Sequence, residues 1–375
     1  MKKRSVMFLL MLSATLVFAG CNKEEETDIE QSTATEEPVI QVISTEDATV
    51  SDNTAEDLGD DEYREGMYRS ELTNEWVDEA LKDQRPIAVM IDNEKTALPH
   101  YGVSQSDVVY EMTNSTANDG VTRLMVLVKD WASIKQLGSI RSVRPTNLQL
   151  CTEWNAVICH DGGPFYIDDY LAKDYVENFS GTFSRVDNGK SREFTEYILE
   201  GDIEKNFSSH SGYSKTYNDY YPGAHYQFTS ASQPNELAEY SDATDATHIQ
   251  MPYKHNKPYL DYDEAEGVYY YSEYGQKHTD PGNGDKQLSF KNLLIQNCRY
   301  VQFDENGYMM FHSIDYNRDG YYITNGKCIP ITWSKEDELT PTRYYDSDGN
   351  EIVLNTGTTY VALVPDDIWS NLEIE

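Results

Sequence analysis

Basic side chains are scarce in this 375-residue chain: 30 lysines and arginines stand against 65 aspartates and glutamates, a formal net charge of -35. That deficit excludes a general nucleic-acid binder, which needs a basic footprint against phosphate. Apolar residues are also few. With glycine counted and tyrosine left out, about 37% of the chain is apolar, against ~45–50% in an ordinary globular domain. The shortfall implies a polar segment outside the core. No run after residue 20 is long and apolar enough to span a bilayer as a helix. The five cysteines include no Cys-x-x-Cys pair and no cysteine-rich zinc pattern. Walker and dinucleotide fingerprints are missing, Ser142 lacks a nucleophile elbow, and no repeat of fixed period occurs. Tyrosine, by contrast, occurs 29 times. Its apolar body and polar tip suit half-wet sheets and binding surfaces.

The N-terminus reads as an export signal. Lys2, Lys3 and Arg4 precede an apolar stretch from Val6 to Val17, and the small pair Ala19-Gly20 abuts Cys21. Residues 1–20 resemble a bacterial lipoprotein signal peptide, with Phe18-Ala19-Gly20-Cys21 as the lipobox and Phe18 in place of the usual leucine. The resemblance implies that Cys21 is lipidated and becomes the first residue of the mature chain. Such a chain rides on the outer leaflet of the cell membrane and does not cross it. Residues 22–65 then hold 16 acids and two bases. They cannot bury enough apolar surface to offset their ordering entropy, so residues 21–69 are expected to be an acidic disordered tether.

Removing signal and tether leaves residues 66–375 at -24. Within that acidic body, residues 121–152 carry Arg123, Lys129, Lys135, Arg141 and Arg144 against Asp130 alone. This local +4 island is the most informative electrostatic feature of the sequence. The cysteines left after Cys21 are Cys151, Cys159, Cys298 and Cys328. Outside the cytoplasm an even number permits disulfides without implying them, and Cys159, in an apolar run, suits a buried thiol.

Periodicity predicts a helix over residues 70–83, from Leu72, Trp76 and Leu81. Buried strands are predicted at Pro86–Ile91, Asp107–Met112, Val121–Val128 and Ala156–Cys159, a short element at Ser139–Val143, a helix opened by Pro145, and another over 164–176. Strands alternating with helices predict an N-terminal α/β sandwich domain over residues 70–228. From residue 229 to 375 turn signals become dense. Pro281-Gly282-Asn283-Gly284, Asn306-Gly307, Asp319-Gly320, Asn325-Gly326 and Asp348-Gly349 separate β-rich runs, which predicts a β-rich C-terminal domain of hairpins. The expected class is thus α+β or α/β.

Several strings together resemble the YerB-type lipoproteins of Gram-positive bacteria, a two-part domain family of unknown function. They are RPIAVMIDN (85–93), GVSQSDVVYE (102–111), GVTRLMVLV (120–128), GSIRSVRP (138–145) and HDGG (160–163). GQKHTD (275–280), QLSFKNLLIQ (287–296) and a closing pattern through Trp333 to LVP (363–365) continue the match in family order. One departure stands out: the family's Pro-His-Asn string, after the segment near Arg185, is replaced by SREFTEYI (191–198). The resemblance implies a cell-surface lipoprotein and a fold outline. It carries no activity.

Candidate site residues gather at predicted strand exits, where α/β sheets usually place ligands. Arg141 and Arg144 flank a Ser-Val pair before a Pro-opened helix, and Arg123 can complete a cluster that forks onto phosphate or carboxylate. Pairing with internal acids is the competing reading in so acidic a chain. Asp92-Asn93 follows a buried strand and offers oxygen ligands, although an aspartate there ordinarily caps a turn. His160 and the glycines Gly162 and Gly163 make a loop open to ligand approach or simply a tight turn. His278-x-Asp280 offers too few groups for a metal, and a turn contact is the expectation. No cofactor is expected. The anticipated partners are the membrane outer leaflet and an anionic wall glycan or wall-synthesis protein. The alternative is an enzyme on phosphate-linked envelope glycan. Residues 87–144 resemble the LytR-CpsA-Psr transferases, which implies Asp92 and Asp107 for Mg²⁺ or Ca²⁺ and Arg141 and Arg144 for phosphate.

Overall fold

A computed structural model describes residues 63–375; the signal, Cys21 and the tether up to residue 62 lie outside the described residues. Its frame is a mixed sheet of eleven strands. In chain order these are β1 (Ile87–Asp92), β2 (Val108–Thr113), β3 (Thr122–Val128), β4 (Val157–His160) and β5 (Asn178–Ser180). The second half of the chain adds β6 (Thr244–Asp245), β7 (Asn292–Cys298), β8 (Arg318–Thr324), β9 (Lys327–Ser334), β10 (Arg343–Tyr345) and β11 (Thr359–Pro365). Across the sheet the order is β6-β9-β8-β7-β11-β2-β3-β1-β4-β5, with β10 also pairing β9. β1 and β2 both run antiparallel to β3. β11 lies parallel to β7 on one side and to β2 on the other. The last long strand therefore stitches the two halves into one sheet.

The apolar runs of the sequence follow from that burial. Every residue of β1, β2, β3 and β11 is buried. Alternate side chains enter two separate cores, as the two-residue period of a strand requires. Ile87, Val89 and Ile91 pack with Ile249, Leu260, Tyr269 and Phe290 of a second sheet, whereas Ala88 and Met90 join Leu148, Leu150 and Trp154 around a helix. That second, six-stranded sheet includes His248–Gln250, Tyr259–Asp263 and Val268–Glu273. The helix is α1 (Pro145–Thr152), with Pro145 in its first turn as expected.

The structure is mostly β throughout, and the expected N-terminal α/β sandwich does not form. Among the described residues only α1 and α2 (Asp202–Ser209) reach eight residues, too little helix for a layer. Residues 70–83 are not helical. They turn between the paired strands Met67–Arg69 and Trp76–Asp78 and end in a short 3-10 turn. Asn74 sits at φ 57°, a left-handed conformation that interrupts any helix, and its side chain donates to Thr356 Oγ1 at 2.8 Å. The stretch 164–176 contains one α-helical turn, Asp168–Leu171. Only its Ile167 and Val176 are buried, which is too few to hold a longer helix on the core. Residues 139–143 form no strand, but Ile140 makes an isolated bridge to Ile91. The four cysteines among the described residues, Cys151, Cys159, Cys298 and Cys328, are free thiols, all buried.

Candidate functional site

The segment 139–144 is stapled between the end of β1 and the loop after β4. The Arg141 N–H donates to Met90 O at 2.8 Å, the Asp161 N–H to Arg141 O at 3.0 Å, and the Val143 N–H to Gly162 O at 3.1 Å. The Arg144 N–H is capped by Asn147 Oδ1 at 3.0 Å, which starts α1. On β3, Arg123 faces Asp92 of β1 in register. These constraints bring the three arginines into one neighbourhood, where Arg123 feels the charges of Arg144 and Arg141, and Arg144 that of Arg141.

Their pairing differs. Arg141 Nε lies 2.6 Å from Asp92 Oδ2, and Arg141 Nη1 lies 3.0 Å from Glu193 Oε2. Arg141 thus follows the internal-pairing reading. Arg123 and Arg144 are each 6% exposed, yet among the described residues neither has a carboxylate within 4.0 Å. Arg123 Nη1 donates to Ser142 O at 2.7 Å, and Arg144 Nη1 donates to Val143 O at 3.0 Å. Both Nε atoms are buried without a partner. Burial, reinforced by the Arg144 charge, pushes the Arg123 guanidinium down to about 9. Burial also lowers Arg144. The charged forms are underserved by the protein itself, and an incoming anion would relieve both.

Aromatic rings extend this spot to the surface. The Arg144 guanidinium carbon sits 3.9 Å from the Tyr308 ring centroid. Tyr166 packs on Phe303 at 4.3 Å and on Phe165 at 5.4 Å between ring centroids. Phe165 is 85% exposed and Phe303 44%. Asp304, the acid felt at Arg144, accepts from Tyr166 Oη at 3.2 Å and from the N–H groups of Asn306 and Tyr308. No charge pattern in the sequence marked Tyr308, Tyr166, Phe165 or Phe303, because they come from two distant loops.

The remaining predicted residues are held by the fold. His160 Nδ1 lies 2.7 Å from Gly162 O, and His160 Nε2 lies 3.2 Å from Asn178 Oδ1, so the ring is satisfied within its turn. Gly162 has φ 71°. A Cβ on Gly163 would lie 2.2 Å from the Ile167 side chain, so the close approach there is made by the protein itself. Asn93 Nδ2 donates to Thr122 Oγ1 at 2.9 Å. Asp92 and Asp107 stand at opposite ends of β3, since Asp92 pairs with Arg123 while the Asp107 N–H donates to Leu127 O. At ~3.4 Å per residue they are roughly 14–17 Å apart, so they cannot share one ion. Asp280 is not a partner of His278 but accepts from Ser104 Oγ at 2.8 Å and caps a turn.

Two family profiles match this chain, and they describe its two halves: "Protein of unknown function (DUF3048) N-terminal domain" over residues 72–214 and the corresponding "C-terminal domain" over residues 249–361. The chain belongs to the DUF3048 family. Among its relatives is a Bacillus subtilis (strain 168) protein named "Putative lipoprotein YerB", 24% identical over 307 residues, which span 80% of this chain and 86% of that protein. The crystal structure of YerB from Bacillus subtilis superposes with a TM-score of 0.68 at 20% identity, covering 82% of this chain and 99% of that one. That likeness concerns the fold. No helix among the described residues is long and apolar enough to cross a membrane.

Proposed function

We propose that this protein is a lipoprotein anchored through Cys21 to the outer leaflet, binding an anionic, phosphate-bearing cell-envelope glycan at Arg123 and Arg144. One observation carries the reading: two nearly buried guanidiniums without a carboxylate partner among the described residues, in a body of net charge -24. In so acidic a chain, unpaired buried arginines are the opposite of what random pairing would leave. The exposed Phe165 and Phe303 rings beside them offer flat apolar faces to sugar rings, and Arg144 offers the fork for a phosphate. The anchor reading is supported by the lipobox-like string at 18–21 and by the name of the relative.

The test uses protein extracted from the membrane of its host. Mass spectrometry reads acyl chains on Cys21, and calorimetry titrates a phosphodiester-linked wall glycan against its dephosphorylated form. The phosphorylated glycan is expected to bind preferentially. Arg144→Lys, which keeps the charge and loses the planar fork, is expected to weaken binding about 10- to 100-fold, the equivalent of ~1.5–3 kcal/mol, with an unchanged melting temperature. Equal binding of the neutral glycan, or wild-type affinity in Arg144→Lys, overturns the site. An unacylated Cys21 overturns the anchor alone.

A further inference from the structure

A second cluster lies beyond Asp92, where the two halves of the chain meet. His100 follows β1, Glu273 ends the strand Val268–Glu273, and His278 comes back toward it after the turn. The three side chains offer ligand atoms within 4.8 Å of one another, and the two imidazole centroids are 4.9 Å apart. All three are buried: His100 0%, Glu273 2% and His278 5% exposed.

The hydrogen bonds define the tautomers. His100 Nε2 lies 2.6 Å from the Asp92 carbonyl, which can only accept, so Nε2 carries the hydrogen. His100 Nδ1 is left with a buried lone pair and no partner. His278 Nδ1 lies 2.9 Å from Glu273 Oε1 and donates to it, which leaves His278 Nε2 as a second unpartnered buried nitrogen. Two orphaned acceptors beside a buried carboxylate are costly unless a donor or a cation meets them. A cation bridging His100 Nδ1, His278 Nδ1 and Glu273 Oε1 would take the place of the His278–Glu273 hydrogen bond, with that proton moving to the vacant His278 Nε2, and His100 would keep the carbonyl-bonded second nitrogen typical of a metal ligand. Glu273 Oε2 is oriented in turn by Asn256 Nδ2 at 3.1 Å. Glu273 and His278 also line a cavity of about 300 Å³, with Lys95, Leu98, Pro99 and Tyr274 among its walls.

We propose that His100, Glu273 and His278 form a binding site for a divalent transition metal of the Zn²⁺ type, with its open coordination position facing this cavity. Two imidazoles and one carboxylate are the donor set for such ions, whereas Ca²⁺ and Mg²⁺ prefer oxygens alone. Three protein ligands leave one position for water or an anionic oxygen, and Lys95 and Lys277 at the cavity add charge for the latter. The site is separate from the arginine pair and stands or falls independently of it.

The experiment uses the untagged mature protein, stripped by chelator. Titration with Co²⁺ is expected to give visible d–d bands of a four- or five-coordinate ion at one equivalent per chain, and Zn²⁺ should bleach them. Competition with a chromophoric chelator then measures Zn²⁺ affinity in variants whose fold is checked by circular dichroism. His278→Gln is expected to weaken binding about 100-fold or more, and Glu273→Gln about 10- to 100-fold. His248→Ala, at a half-exposed histidine paired with Asp261, should bind as wild type does. Wild-type uptake far below one equivalent overturns the proposal whatever the variants do. So does wild-type affinity in a folded His278→Gln, or loss of binding in His248→Ala. Glycan titration of the chelator-stripped protein keeps this outcome distinct from that of the arginine site.

Discussion

Glu153, the residue that follows α1, has no exposed surface, and neither does its partner Lys335, whose Nζ lies 2.9 Å from Glu153 Oε2. The same oxygen accepts from the Thr342 N–H at 2.9 Å and hydroxyl at 2.8 Å, and Glu153 Oε1 accepts from Tyr110 Oη at 3.0 Å. Burial pushes this carboxyl up, but the Lys335 ammonium and the donors outweigh it and hold it well below the usual range. A carboxyl whose folded value is depressed stabilises the fold above its unfolded value, about 4.3, and loses that contribution as pH falls through the folded one. Glu153→Gln should therefore cost about 3–5 kcal/mol at pH 7, since Lys335 is left buried and unpaired. It should also flatten the decline in stability below about pH 4. Urea midpoints at neutral and acid pH read both effects, and an unchanged midpoint at pH 7 would contradict the assignment. At this scale the sequence exposed the arginine island through charge alone. It could not show that Arg141 is consumed by Asp92 and Glu193 while Arg123 and Arg144 are not, because pairing depends on atoms brought together from separate strands.

At the scale of elements, the Asn325-Gly326 pair behaved as its backbone preferences demand. Asn325 and Gly326 sit at φ 48° and 73° between β8 and β9, a tight turn that suits the twist of its strands. Asp319-Gly320, read as a turn, lies inside β8. A Cβ on Gly320 would stand 2.7 Å from the backbone oxygen of Ile295 on β7, so this glycine permits two strands to approach rather than the chain to reverse. Gly320→Ala should accordingly destabilise the protein by about 1–3 kcal/mol, because the opposing atom is backbone and cannot swing away. The midpoint of chemical denaturation measures it, and a midpoint at or above wild type would show that the strands relax without loss. The helical spacing of Leu72, Trp76 and Leu81 does not mark a buried face: of the three only Leu72 is buried, and the segment forms a pair of short strands and a 3-10 turn.

At the scale of the whole molecule, the two family profiles divide a chain whose main sheet is undivided. β11 pairs with β7 over seven residues and with β2 over five. The segment joining the matched halves includes Ala231 to Pro234, all exposed. A protease site inserted between Gln233 and Pro234 should therefore be cut readily, and the two fragments should still elute together from a sizing column. Denaturant should separate them. Fragments that part under native conditions would show that the β2–β11 seam does not hold the halves together.

The sequence by itself determined the strands buried on both faces, since continuous apolar runs cannot face water, and it determined the opening of α1 by Pro145, the Asn325-Gly326 turn and the basic stretch at 121–152. Each is a local consequence of side-chain polarity or backbone preference. Tertiary structure alone decided that β11 crosses to β2, that Tyr166 packs on Phe303 and Tyr308 on Arg144, and that His100 lies within reach of His278. Those outcomes join residues far apart in the chain, and only the packing of the two sheets brings them within interaction distance.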